Sequence, residues 1–148
     1  MDQNEYGNSY NEHKFKQYEI FLHSTEQVSG NRMSANKFFM SINSFILTAY
    51  SIFFDKLTSA IFIIPILGII ISISWVKTLK SYSMLNSAKF KIINKIEEEL
   101  PLQPYKDEWE ELDNDNEYKT LSTIEQDIPY VFGIVFSVLL ILNILLYY

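Results

Sequence analysis

A stripe of hydroxyl side chains is the most chemically suggestive pattern in this 148-residue chain. Ser41, Ser44, Thr48 and Ser51 recur at steps of three, four and three, and a further step of four reaches Asp55. On an α-helix these positions share one face. Such a face can pack against another helix, because small residues allow close approach and serines hydrogen-bond across the contact. It can also line a water-filled path, with Asp55 repeated around an oligomer as a ring of negative charge at the mouth. Taken alone, the stripe fits packing better than pore lining.

Other reactive groups are scarce. There is no cysteine, which excludes disulfides and thiolate metal sites. The two histidines, His13 and His23, lie ten residues apart on one helical stretch and cannot meet closely. No glycine-rich phosphate loop and no His-Glu zinc motif is present. The single arginine, Arg32, has no histidine downstream, so an Arg-x-x-x-x-His nuclease motif is impossible. The acidic run from Asp107 to Glu117 lacks the ordered alternation of a calcium loop and reads as a solvated loop. The expectation is therefore a protein that is not an enzyme, with no catalytic residue, no metal site and no cofactor. A net charge of −6 argues against nucleic acid as a charge-driven partner.

The elements that would position the stripe follow from hydropathy. Apolar residues concentrate in blocks, which is a membrane signature. The first block runs from about Asn36 to Phe54; from Phe38 its sequence, FFMSINSFILTAYSIFF, carries no charge. Its length as a helix is about 25 Å, enough for a slightly thin bilayer. Asp55, Lys56, Leu57 and Thr58 separate it from a second span, Ser59 to Val76, so the two form a tight hairpin. Pro65, Gly68 and Ser72 share a face of that second span, which implies a kink and a close contact. The third span fills Ile128 to Tyr148, where Gly133 and Ser137 signal helix association and Asn143 is a candidate interhelical hydrogen-bond donor. Asn43 needs a partner inside the bilayer as well.

Outside the spans, helical spacing persists. Phe15, Tyr18, Phe21, Leu22, Thr25 and Val28 line one face of an N-terminal helix, for which Gly30-Asn31 reads as a stop. Leu79, Tyr82, Leu85, Ala88, Ile92, Ile93, Ile96 and Leu100 extend the second span as a long amphipathic helix ending near Pro101. The Phe15/Tyr18/Leu22 and Leu79/Tyr82/Leu85/Ile92 faces are expected to cover one another. Trp109 and Leu112 anchor a short helix in the segment that follows.

Basic residues set the orientation. Lys14, Lys16, Arg32 and Lys37 precede the first span, and Lys77, Lys80, Lys89, Lys91, Lys95, Lys106 and Lys119 lie between the second and third. The hairpin tip has Lys56 alone. The N-terminus is therefore expected in the cytoplasm and the C-terminus outside, with Trp75, Tyr147 and Tyr148 in interfacial belts. The first 30 residues carry five acids and no apolar run, so the first span is expected to serve as an uncleaved insertion signal. The organisation expected is a cytoplasmic amphipathic helix over 1–35, a transmembrane hairpin over 36–76, a cytoplasmic extension with an acidic loop over 77–127, and a third transmembrane helix over 128–148.

Two stretches carry a resemblance. One is Arg32-Met33-Ser34-Ala35-Asn36 leading into Phe38-Phe39; the other is Leu85-Asn86-Ser87-Ala88-Lys89-Phe90, then Glu97, Leu100-Pro101, Pro104-Tyr105 and Glu108-Trp109. Together they resemble the RipA family of octameric, small bacterial inner-membrane proteins, over roughly residues 15–145. The resemblance implies an oligomer with cytoplasmic helices beside its spans. Similar small membrane proteins act as effectors in bacterial anti-phage systems, next to nucleotidyltransferases or CRISPR components. In one such setting a membrane channel is held shut by a nucleic-acid oligomer. No catalytic role attaches to the matched residues.

The reading that results is an all-α membrane protein of three transmembrane helices with cytoplasmic amphipathic helices, homo-oligomeric as an octamer or a tetramer in the inner membrane. The leading expectation is a pore or ion channel acting as an anti-phage effector, gated through its cytoplasmic helices by a nucleotide-derived ligand or a nucleotidyltransferase-encoded partner. Ser41, Ser44, Thr48, Ser51 and Asp55 would line the pore. Arg32 and Lys89 would meet an anionic ligand, unless they form intersubunit salt bridges with Glu97, Glu98 or Glu99. The alternative is a non-conducting scaffold that docks a cytoplasmic partner through residues 77–127.

Overall fold

A computed structural model describes residues 3–54, 59–115 and 120–147. Among the described residues the elements are all helical, with no strand: α1 (Gln3–Tyr6), α2 (Tyr10–Phe53), a 3-10 turn (Ser59–Phe62), α3 (Ile63–Glu97), α4 (Pro104–Asp113) and α5 (Leu121–Tyr147). Two stretches, Ile63–Glu97 and Thr123–Leu146, are long and apolar enough to cross a membrane, with mean hydropathies of 1.7 and 2.4. The C-terminal part of α2 falls short of that measure, because a span-length window ending at Phe53 takes in Asn36, Lys37 and Asn43.

Gly30-Asn31 does not end a helix. α2 runs unbroken from Tyr10 to Phe53, and Gly7 is the glycine with a positive φ, 92°. Gly30 and Asn31 weaken helix propensity by at most about 1 kcal/mol each. Packing of Val28 on one side of them and of Arg32 on the other outweighs that. Pro65 does not kink α3 either. It lies in the first turn, where proline removes no intrahelical hydrogen bond, and α3 continues to Glu97 as the long extension expected.

The chain divides into two compact units, Met1–Asn31 with Met84–Tyr118 and Arg32–Ser83 with Lys119–Tyr148. In the first, the N-terminal part of α2 packs on the C-terminal part of α3, with α4 folded back beside it. The buried face of α2 is Tyr18, Thr25 and Val28, as the helical spacing implies. The face of α3 differs from the expected one. Ile93 and Glu97 are fully buried, whereas Ile92 is 45 % exposed, Leu85 47 % and, on α2, Phe15 51 %. One residue of register turns a helix by about 100°, and the seam follows Phe90, Ile93 and Glu97.

In the second unit, α2, α3 and α5 alternate in direction. Trp75 Nε1 donates to Asn36 Oδ1 (2.9 Å) and Ser72 Oγ to Asn43 Oδ1 (3.3 Å), so rising numbers in α2 meet falling numbers in α3. Tyr50 Oη donates to Asn143 Oδ1 (2.6 Å) at a separation of 93 residues, and the Arg32–Glu125 contact repeats that separation. α2 and α5 are therefore parallel. Trp75 is wholly enclosed, stacked on Phe39 (6.0 Å, 11°) and tilted against Phe132 (5.9 Å). It is a core residue and not the interfacial anchor expected, because its indole N–H has a partner indoors. Tyr147 and Tyr148 were expected in the same role; Tyr148 lies outside the described residues and nothing is described of the Tyr147 side chain. Pro65, Gly68 and Ser72 are all buried, and the close contact expected is present: a Cβ on Gly68 would stand 2.5 Å from ring atoms of the enclosed Phe136.

Two substitutions test this packing. Ile93→Asp places an unpaired carboxylate in the first unit's core, at a cost of about 3 kcal/mol or more; it should unfold that unit, while Leu85→Asp leaves it intact. Protease sensitivity of residues 10–31 reads the difference, and equal resistance of both variants would refute the seam. Gly68→Ala should lower the melting temperature of the detergent-solubilised protein through overpacking of about 1–3 kcal/mol. Phe136→Leu in the same chain should restore it.

Candidate functional site

The hydroxyl stripe lies on the outside of its unit. Ser41, Ser44, Thr48 and Ser51 are exposed, whereas Asn43 and Tyr50, on the opposite side of α2, are buried. Ser41 Oγ donates to Lys37 O (2.9 Å), Thr48 Oγ1 to Ser44 O (2.9 Å) and Ser51 Oγ to Leu47 O (3.0 Å). Each of these hydroxyl hydrogens is thus spent on the helix's own backbone. The oxygen lone pairs are left facing outward, so the stripe presents acceptors and no free donors from these three groups. Acceptor oxygens suit cations and water more than anions. Asp55, Lys56 and the hairpin tip lie outside the described residues.

The two expected ligand cations are both engaged within the chain. Arg32 Nε stands 3.2 Å from Glu125 Oε2, an ion contact short of an aligned hydrogen bond, with 11 % and 22 % of the two side chains exposed. Lys89 Nζ donates to Ser24 Oγ (2.6 Å) and sits 5.1 Å above the Phe21 ring. Arg32 and Lys89 belong to different units. Within the chain, Glu99 pairs with Lys14, and Glu97 accepts from uncharged donors.

Glu97 is the centre that sequence reasoning missed. Its carboxylate is fully buried at the end of α3. It accepts from Tyr18 Oη (2.8 Å) and from the backbone N–H of Tyr105 (3.4 Å) and Lys106 (3.3 Å). Those amides are orphan donors in the first turn of α4, whose Gln103 gives no side-chain cap and whose own residues bury nothing. Glu97 is therefore an N-cap supplied from another helix, and its charge complements the positive end of α4. Burial, the hydrogen bond to Glu97 and the negative charge of Glu97, in that order, push the Tyr18 phenol well above the ordinary tyrosine value. Phe90 against Tyr105 (5.8 Å between ring centres) closes the same corner. The Leu85–Trp109 stretch is thus a folded knot, with Lys89, Phe90, Glu97 and Tyr105 as its contacts. The histidines have surface roles: His13 Nδ1 hydrogen-bonds with Tyr6 Oη (2.9 Å), and His23 faces Glu26 (3.4 Å). Among the described residues no three His, Asp or Glu side chains gather at metal-binding distance.

These features, two long apolar helices and a capped helical knot, accord with a comparison to known families. The sequence model of the octameric membrane protein family (8xMP) matches residues 15–145. The chain belongs to that family. No curated protein and no solved structure matches it. Family membership makes it a membrane protein, and the family name implies a homo-oligomer of eight. The match takes in both stretches that carried the resemblance, and it spans the polar links of α2, α3 and α5 together with the Glu97 knot.

The Tyr18–Glu97 link has a definite pH signature. A phenol whose folded pKa lies above its unfolded value, about 10, stabilises the fold fully below that value and loses the contribution as pH rises beyond it. Tyr18→Phe should therefore destabilise by about 1.5–3 kcal/mol near neutrality, and the gap from wild type should close above pH 10. Thermal melts of both proteins across that range check it; a gap constant with pH would refute the link.

Proposed function

We propose that the chain assembles as a homo-octameric pore in the bacterial inner membrane and serves as an effector of anti-phage defence. In this reading Asn36–Phe54 is a third membrane span beside those in α3 and α5. The lysine pattern places the N-terminus and residues 77–127 in the cytoplasm and the C-terminus outside. The up-down-up order of α2, α3 and α5 agrees with that topology, since it sends the ends of α2 and α5 the same way.

One observation carries the pore: the polar stripe of α2 faces away from its own bundle, with the hydroxyl hydrogens of Ser41, Thr48 and Ser51 already satisfied. Polar faces of membrane helices are not left to lipid. Eight copies around an axis give such a stripe an aqueous lumen, with Ser41, Ser44, Thr48 and Ser51 as acceptor rings and Asp55 at the outer mouth concentrating cations. Gating is a population shift. A ligand or partner that prefers the closed arrangement of the cytoplasmic helices holds the pore shut, and its loss opens it. A nucleotide-derived regulator, or a partner encoded with a nucleotidyltransferase, is the class that the family resemblance points to.

A non-conducting scaffold is the second reading. It is favoured by exposed apolar side chains in 77–127, Leu102 at 76 % and Trp109 at 40 %, which offer a docking surface.

Conductance of purified protein in planar bilayers separates the readings. Thr48→Leu should leave the octamer intact on a sizing column and block current by drying the constriction, and Asp55→Asn should reduce cation preference. If Thr48→Leu instead weakens assembly while current per assembled particle is unchanged, the stripe is a packing face. No current from the wild type under any ligand condition leaves the scaffold.

A further inference from the structure

The first unit contains a cavity of about 380 Å³ between the start of α2 and the end of α3. Its contents are unlike those of a packing defect. Two basic residues, Lys14 and Lys95, line it, together with Tyr6 and Tyr10, whose rings are 5.9 Å apart and nearly perpendicular, and with the apolar Ile92 and Ile96. His13 joins the wall through its hydrogen bond with Tyr6. One anion already sits there. Glu99 reaches back from the turn after α3 and pairs with Lys14, whose side chain is only 18 % exposed while that of Glu99 is 60 % exposed. Lys14 also stands 5.8 Å from the Tyr10 ring centre.

We infer that this cavity binds a phosphate monoester bearing a flat ring, and that Glu99 is a tethered occupant of the phosphate position. A mostly enclosed lysine flanked by an aromatic ring marks an anion position. The group that fills it in the free protein is an exposed surface carboxylate. A displacing ligand has to offer more charge than the single negative charge of Glu99. A phosphate monoester does so, with about −1.5 to −2 at neutral pH and three acceptor oxygens, and Lys95 is placed to receive the surplus. The tyrosine rings and isoleucines then require a flat apolar body, which inorganic phosphate lacks. The volume falls in the ordinary range of small-ligand sites, about 300–1,000 Å³. The inference deepens the ligand-gated reading above, for which it names the ligand class and the place of binding.

Phenyl phosphate is the probe, titrated calorimetrically into the full-length oligomer in phosphatidylcholine nanodiscs. One saturable site per chain is expected. Glu99→Gln, which removes the competing charge from an exposed position, should tighten binding about tenfold, and Lys95→Met should weaken it about tenfold. Inorganic phosphate should bind more weakly than phenyl phosphate. Absence of binding, or affinities indifferent to both substitutions, overturns the site, and equal affinity for inorganic phosphate overturns the ring. If nanodiscs carrying phosphatidic acid abolish phenyl phosphate binding, the phosphate belongs to a lipid headgroup and the soluble ester is overturned. Binding is read without current. A protein that binds phenyl phosphate and does not conduct keeps the site and loses the pore, and a conducting protein that does not bind does the reverse.

Discussion

A carboxylate without water has to be satisfied by the protein or not exist as a charge, and Glu97 is in that position. The first unit is arranged around that requirement. A phenol from α2 and two amides from the start of α4 converge on one side chain at the end of α3. The dependence runs both ways. α4 has ten residues, buries none of them and lacks a side-chain cap of its own. A helix of that length is marginal in water by itself. Its first turn is held because Glu97 receives the amides that would otherwise be orphaned. Removing the carboxylate would release α4 and leave the Tyr18 hydroxyl buried without its acceptor.

The second unit obeys the same rule in an apolar setting. Asn43 donates to Phe39 O (2.8 Å) and accepts from Ser72; Asn143 accepts from Tyr50 and donates to Ile61 O (3.2 Å). These links are worth only about 0.6 kcal/mol each on average between membrane helices. Their value lies in register. The Arg32–Glu125 and Tyr50–Asn143 contacts share one sequence offset and lie about 27 Å apart along the helix, close to the thickness of a bilayer core. A slip of α5 against α2 by one turn would break both at once and strand two charges, a phenol and an amide. Small residues do the steric part of the work, with Gly68 admitting Phe136 and Ser72 meeting Gly133.

Much of this was legible in the sequence because it depends on one helix at a time. Hydropathy marked the apolar blocks, spacing placed Tyr18, Thr25 and Val28 on a common face, and the lysine-studded pattern after Val76 was a continuous helix. Asn43 and Asn143 announced themselves as polar groups needing partners in an apolar segment. What was not legible depends on two helices meeting. The buried face of α3 is set by Ile93 and not Ile92, a difference of one residue that an all-round apolar stretch such as Ile92-Ile93 cannot reveal. Trp75 has the composition of an interfacial residue and became core because Asn36, far away in sequence, accepts from its indole. Glu97 stood in a run of three glutamates, and nothing local distinguished the buried one from its neighbours. The Gly30-Asn31 stop failed for the same reason: propensity is local, and contacts on either side of the pair decide the outcome.

The faces that remain unsatisfied within one chain bear most directly on assembly. A closed ring of eight is built from unlike surfaces, each subunit offering one patch to the neighbour before it and another to the neighbour after. The second unit has two distinct outward surfaces. One is the acceptor stripe of α2. The other is a groove of about 500 Å³ between α3 and α5, where Ser72, Gly133 and Ser137 form a small-residue floor between Ile73 and Ile134. Ser137 Oγ donates to Gly133 O (2.8 Å) and Ser72 Oγ to Asn43 Oδ1 (3.3 Å), so both hydroxyl hydrogens of this floor are spent within the chain. A surface so prepared can accept close packing in an apolar medium without a buried unpaired donor. The stripe differs from the groove in one respect. Its oxygens continue at helical spacing over three turns of α2 and lead, by the sequence, to a carboxylate. A packing face needs only small volume, whereas the path for cations proposed above would use both the row of acceptors and the charge at its end.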